Sequence, residues 1–172
     1  LGVKPVVDVI GADFLYRTLD SICNTASKLD FVTGQEHTIV IRAEFMTGGP
    51  TTGQRPEALF AHIPGLRTVI PSTPRDAYGL MRTALSTPGV TLFFEDRMIQ
   101  DDGFFTEEDL LIGKSIPFGN AAVRRYGARG QPVILTYGIM RQIVEQALEP
   151  WREVRVFDLR TIYPLDWETL RW

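Results

Sequence analysis

Few residues in this chain are of a type that does chemistry, and their spacing forms no familiar catalytic set. His37 and His62 are the only histidines, and they lack the close spacing of metal ligands. His37 follows Gly34 and reads as an exposed loop residue. His62 stands before Pro64, where an imidazole caps the carbonyls of a last helical turn. Cys23 falls on the apolar side of a helical pattern and reads as a buried structural thiol. As the single cysteine it excludes an internal disulfide and fits a reducing compartment. Glu95 closes an apolar run as an edge carboxylate, structural or functional. There is no GxSxG elbow, no Walker loop and no GxGxxG after a strand. What remains is a place: the loops that follow strands, where ligands sit in an open parallel sheet. Three qualify, namely Gly11-Ala12-Asp13-Phe14, Glu44 to Gln54, and Pro71-Ser72. Phe14, just after a turn and at a helix start, is either a stacking platform for a planar ring or a core residue of that helix.

The elements that must position these loops are legible from hydrophobic periodicity. Val6 to Ile10 reads as a strand. Asp13 then suits a helix N-cap, with Phe14, Leu15, Thr18, Leu19, Ile22, Cys23, Ala26 and Leu29 recurring at helical spacing. Thr38 to Arg42 is a β-branched strand. Gly48, Gly49 and Gly53 give the next loop backbone freedom and exposed N–H groups. Pro56 opens a short helix with Ala58, Leu59, Phe60 and Ile63 on its apolar face. Pro64-Gly65 stops it, Thr68 to Ile70 forms a third strand, and Ser72-Thr73-Pro74 caps a helix that faces the core through Ala77, Leu80, Met81, Ala84 and Leu85. Val90 to Phe94 is apolar throughout, as expected of a parallel sheet covered on both faces. Strand and helix alternate, which predicts an α/β fold with a doubly wound parallel sheet.

The texture changes after Asp96. Asp101-Asp102-Gly103, Glu107, Glu108, Asp109, Gly113, Pro117 and Gly119 show little periodicity and read as a linker. A second α/β unit follows. Gly127 to Gly130 is a turn, Val133 to Tyr137 a strand, Gln142 to Leu148 a helix with Ile143, Val144 and Ala147 inward, and Val154 to Leu159 a strand. The expected organisation is residues 1–96, a linker at 97–119, and a second unit at 120–172. Two strands and one helix are too few to bury a sheet. The chain also lacks an initial Met and ends where a helix starts, so it reads as a fragment with a truncated second unit.

Net charge of −3 argues against a nucleic-acid partner. Arg124-Arg125 with Arg129, the longest basic cluster, reads as a solvated loop. No run approaches about 18 apolar residues, so no membrane span is expected, and no signal or transit pattern is visible.

Read together, the motifs resemble a known family. GADFLYRTLDSI, RPEALFAHIPGLRTVIPSTPRDAYGLM and VTLFFEDRM look like the pyrimidine-binding domain in the beta subunit of 2-oxoacid dehydrogenases of the pyruvate or branched-chain type. VFDLRTIYPLDWETL looks like the start of that subunit's transketolase-like C-terminal domain. The resemblance implies thiamine diphosphate and Mg²⁺ held between an alpha and a beta subunit in an α₂β₂ assembly, the metal mainly by alpha. It implies oxidative decarboxylation of a 2-oxo acid, with acyl transfer to a lipoyl-bearing partner. It places the family's stacking aromatic on Phe14 and the substrate-side loop on Thr52 and Gln54. The family's carboxylate for the aminopyrimidine would fall upstream of residue 1, so these residues are expected to be inactive alone. A monovalent-cation loop of pyruvate-type relatives would fall on Ile39, Ala84, Leu85, Thr87 and Gly89, with Thr87 where those relatives place an Asp. The implied location is the cytoplasm in a bacterium and the mitochondrial matrix in a eukaryote.

Two departures stand out. Thr52-Gly53-Gln54 replaces the family's His-Ser-Gln, and a Thr cannot act as a general base near neutral pH. Asp20-Ser21-Ile22 replaces Asp-Gln-Ile. They motivate two alternatives: a transketolase-like carboligase on the same scaffold, or an inactive subunit that keeps the assembly interface.

Overall fold

The apolar run from Val90 to Phe94 becomes a strand buried on both sides of a sheet. The structure is a computed structural model and describes residues 2–100, 114–128, 130–148, 150 and 153–171. Strands β1 (Val6–Gly11), β2 (Thr38–Phe45), β3 (Leu66–Val69) and β4 (Gly89–Asp96) are joined by β8 (Thr161–Tyr163) in the order β1-β2-β4-β3-β8. The first four run parallel and β8 lies antiparallel to β3. On one face Val90, Leu92 and Phe94 of β4 pack with Leu15, Ile22, Ile41 and Phe60. On the other, Phe93 packs with Val40, Val69, Leu80 and Ala84. Burying each such large side chain contributes about 1.5–3 kcal/mol, and this two-sided burial is why β4 carries no alternation.

A second sheet has the order β5-β7-β6, from β5 (Ala122–Arg125), β6 (Val133–Thr136) and β7 (Arg155–Asp158). The helices are α1 (Leu29–Thr33), α2 (Glu57–Ala61), α3 (Pro74–Ser86), α4 (Arg97–Gln100), α5 (Ile139–Ala147) and α6 (Trp167–Leu170). Among the described residues no helix is long and apolar enough to cross a membrane.

Several expectations need correction. The helix after β1 is not one α-helix capped by Asp13. It passes through 3₁₀ turns at Ala12–Thr18, a π turn at Ser21–Thr25 and a 3₁₀ turn at Ala26–Lys28 before α1. Gly11 holds the N-cap position, and the Asp13 carboxylate is spent elsewhere. Thr18 and Ser27 hydroxyls bond back to the Leu15 and Cys23 carbonyls and compete with the regular ladder. Three residues per turn put Ala12 and Leu15 inward, while Phe14 and Leu19 are exposed. Cys23 is half-buried against the core, and burial followed by the nearby Asp20 pushes its thiol pKa up. His37 is not free: its Nδ1 lies 2.9 Å from Asp30 Oδ1. His62 is the exposed C-cap residue of α2.

In the second unit, Arg124 and Arg125 sit on β5 rather than in a loop. Asp158, from β7, and Asp76, from α3, draw the Arg124 guanidinium in at 2.7 and 2.9 Å. Helix α5 begins three residues before the expected start, at Ile139, and Ile143 and Ala147 are exposed instead of inward. The physical reason is the small sheet beneath: β6 is its edge, with Val133 and Leu135 exposed as well. Residues Thr161 to Tyr163, read only as part of the second unit, return to the first sheet as β8. The acidic part of the expected linker from Asp101 to Gly113, and Arg129, lie outside the described residues.

Candidate functional site

The carboxyl ends of β1, β2 and β4 meet at one edge of the first sheet. β1 reaches it through an irregularity. Its register against β2 breaks between Asp8 and Gly11, and Ile10 takes φ 66°. The Ile10 N–H donates to Asp8 Oδ1 at 2.8 Å. A β-branched residue with positive φ is strained, and such strain concentrates at functional edges. The bend delivers Gly11, Ala12, Asp13 and Phe14. A Cβ on Gly11 would lie 2.3 Å from the Met46 sulfur and 3.3 Å from the Phe14 ring. Glycine therefore lets Met46 and Phe14 close in on the same point. Phe14 is 44% exposed, so one part of its ring is available to a planar ligand. That fits a stacking partner and does not fit a core side chain.

The Gly48–Gln54 loop follows β2. Asp13, 9% exposed, accepts from Gly53 N at 3.1 Å and from Gln54 N at 3.0 Å. Phe45, Met46, Thr52, Arg55, Asp96 and Met98 line a cavity of about 380 Å³, which Ile139 of α5 also borders. Thr52 therefore faces this cleft. Gln54 is exposed, with its backbone N–H on Asp13.

Arg55 and Asp96 close the far side. Arg55 Nη1 and Nη2 donate to the two Asp96 oxygens at 2.9 and 3.3 Å, and the guanidinium lies 3.8 Å over the Phe45 ring. Burial works against the Arg55 charge, but Asp96 outweighs it and raises the pKa above the ordinary value. Asp96 Oδ2 also accepts from Ile139 N at 2.9 Å. Gly138, at φ 57°, permits this: a Cβ there would lie 2.4 Å from that oxygen. Tyr137 donates to Glu57 Oε1 at 3.1 Å, and burial followed by Glu57 raises its pKa. Sequence reads Glu57 only as an acidic residue at a helix start, and gives Arg55, Asp96 and Tyr137 no part in a site. They meet across 41 to 80 positions, and no local spacing signals that. Chemically the cleft offers apolar walls, the hydroxyl-bearing Thr47 and Thr52, the exposed Arg97 and the Arg55–Asp96 ion pair. It can bind and orient, and its lining includes no histidine or other group suited to general-base work near neutral pH.

His37, His62 and Glu95 all lie outside this cleft's lining. Glu95 accepts from Arg42 Nε at 3.0 Å and serves as a structural partner. The resemblance-derived cation loop does not fit a metal ion. The Lys4 ammonium donates to the Leu85 carbonyl at 2.8 Å, and the Arg67 guanidinium to the Pro88 carbonyl. Side-chain cations thus already occupy carbonyls at this α3 terminus, where the helix dipole favours positive charge, and Thr87 adds no carboxylate. Among the described residues no group of three or more His, Cys, Asp or Glu side chains could hold a metal.

The fold is an α/β domain with an exposed aromatic at the carboxyl edge of its parallel strands, beside a pinned Gly-rich loop. Residues 2–100 match the transketolase pyrimidine-binding domain, and the chain belongs to that family. It is 29% identical over 189 residues to the 2-oxoisovalerate dehydrogenase subunit beta of Pseudomonas aeruginosa, covering 98% of this chain and 53% of that protein. It is 34% identical over 184 residues to the subunit of the same name from Bacillus subtilis, again covering 98% and 53%. In fold it is similar to a split-gene transketolase solved as an inactive β4 tetramer, with TM-score 0.76, 18% identity, and 98% of this chain and 52% of that one covered. The chain spans about half the length of the curated relatives it matches.

Proposed function

We propose that this chain is part of the beta subunit of a thiamine-diphosphate-dependent 2-oxoacid dehydrogenase. The observation that carries the reading is the half-exposed Phe14 ring at the β1 edge beside the Asp13-held loop, within residues that match a pyrimidine-binding domain. Phe14 holds the pyrimidine by stacking. Met46 and Met98 supply apolar surface beside the ring. The Thr52 hydroxyl donates to the 2-oxo acid carboxylate. When bound, the cofactor supplies the carbanion stabilisation that decarboxylation needs. The carboxylate for the aminopyrimidine, the Mg²⁺ ligands and the remaining proton handling belong to other parts of an α₂β₂ assembly. In this reading residues 1–96 and 120–172 form two units joined by a connecting stretch, with β8 of the second on the first sheet. The acyl group passes to a lipoyl-bearing partner.

Reconstitution tests this. The full-length parent chain is co-expressed with its adjacent alpha-type subunit and supplied with thiamine diphosphate, Mg²⁺ and a panel of 2-oxo acids. Reduction of an artificial acceptor and acylation of a lipoyl domain are expected with at least one acid. Turnover that joins two carbon substrates without touching the lipoyl domain would establish the carboligase instead. An assembled, cofactor-loaded complex with neither reaction would establish the inactive subunit.

A further inference from the structure

A carboxylate at a helix start ordinarily accepts from N–H groups of its own first turn. Asp13 does not. Both of its oxygens reach amides 40 and 41 positions away, on Gly53 and Gln54. The carboxyl is buried while Gly53 and Gln54 are themselves exposed, so a protein group ties down amides that water would otherwise satisfy. These amides directly follow Thr52, which lines the cleft. Gly53 turns the chain at φ 97°, a conformation that stays soft unless something fixes it. On its other side Asp13 is bonded to Phe14. A second tie, Arg55 to Asp96, holds the loop's trailing end.

We propose that Asp13 is a positioning residue that sets the Thr52 hydroxyl and the Phe14 ring in one frame by holding the Gly53 and Gln54 amides. The roles of Phe14 and Thr52 rest on the function proposed above; the tie itself does not. The chemistry requires a carboxylate. Two oxygens accept two N–H donors, whereas a carboxamide offers one acceptor and turns an NH₂ toward the second donor.

The test uses the full-length chain assembled with its alpha-type subunit and compares wild type with Asp13→Asn. Hydrogen exchange of the peptide spanning residues 47–56 should accelerate roughly tenfold or more in the variant, with β2 and β4 unchanged. The KM for the 2-oxo acid should rise roughly tenfold, while thiamine diphosphate affinity stays within about twofold. Asp13→Glu, which keeps both acceptors, should recover part of the protection. Unchanged loop exchange, or acceleration spread evenly through the core, overturns the proposal. If Asp13→Asn fails to assemble, wild type alone decides. The exposed Gly53 and Gln54 amides should exchange at least tenfold more slowly than Gly48 and Gly49, and equal rates overturn it. A wild-type complex without turnover would refute the proposed function, and the exchange result would still decide the role of Asp13.

Discussion

At the scale of single residues, what matters is which polar group each side chain ends up facing. The type of Phe14 and its place just after Gly11 leave a stacking platform and a core residue equally open in sequence, and only its exposure in the structure removes the core reading. Thr52 is a sharper case. It lines the cleft beside Met46 and Met98, so Thr52→Val should raise the 2-oxo acid KM roughly three- to tenfold and leave the melting temperature of the complex within about 2 °C. Unchanged saturation kinetics would remove Thr52 from substrate binding. Lys4 carries a different expectation. With its ammonium on the Leu85 carbonyl and Arg67 on Pro88, KCl and NaCl at equal ionic strength should give the same melting temperature. A specific rise in potassium would contradict the tethered-cation reading. Asp13, by contrast, was not legible. A carboxylate before an apolar periodic run reads as an N-cap, and the sequence holds no mark of two amides 40 residues on.

At the scale of elements, regular hydrophobic spacing made β2, α3 and β4 readable, since each buries a repeating face. The segment after β1 kept its apolar residues but not its helix type, because Thr18 and Ser27 divert carbonyls from the ladder. β5 was missed for a charge reason: two adjacent arginines look solvated until Asp76 and Asp158 are placed beside them. That trio is a buried ion group, with Asp158 and Asp76 almost wholly enclosed. Burial pushes the Asp158 carboxyl up despite bonds from Ser72 and Arg124. Arg124→Met should therefore cost about 3–5 kcal/mol by leaving the buried Asp158 carboxylate without its cation, while Asp76 keeps Arg160 at 2.9 Å, read as a shift in denaturant midpoint.

Helix α6 gives a pH-dependent expectation. Asp166 is its N-cap, accepting from Thr169 N at 2.9 Å and from Ala121 N at 2.8 Å. Burial works to raise this carboxyl, but those bonds outweigh it and hold its pKa below the ordinary value. A depressed folded pKa stabilises above the unfolded pKa, near 4, and that stability is lost as pH falls through the folded value. Asp166→Ala should cost about 1–2 kcal/mol near neutral pH, and the gap to wild type should shrink below about pH 4. A gap independent of pH would contradict this.

At the scale of the whole molecule, two sheets are joined by charge as much as by apolar contact. Arg124 reaches Asp76 of the first unit, and Asp96 of the first unit caps the start of α5 in the second. The shift in texture after Asp96 suggests a second unit, but gives no sign that β8 would cross back to pair with β3. Three residues of strand carry too little pattern for that. The second sheet leaves Val133, Leu135, Met140 and Ile143 each about half exposed. Apolar surface of that kind favours association, so the isolated 172 residues should self-associate on light scattering at about 50 μM, and a monodisperse monomer would contradict it.

The most direct measurement is a thiamine diphosphate titration of the assembled complex, wild type against Phe14→Ala, followed by calorimetry. A half-exposed ring that stacks on the pyrimidine contributes about 0.5–1.5 kcal/mol beyond area burial. The account predicts saturable binding in wild type and a Kd raised roughly two- to tenfold in the variant, with the complex still intact. Equal affinities for the two proteins, or no binding to wild type, would contradict the assignment of this edge as a cofactor site.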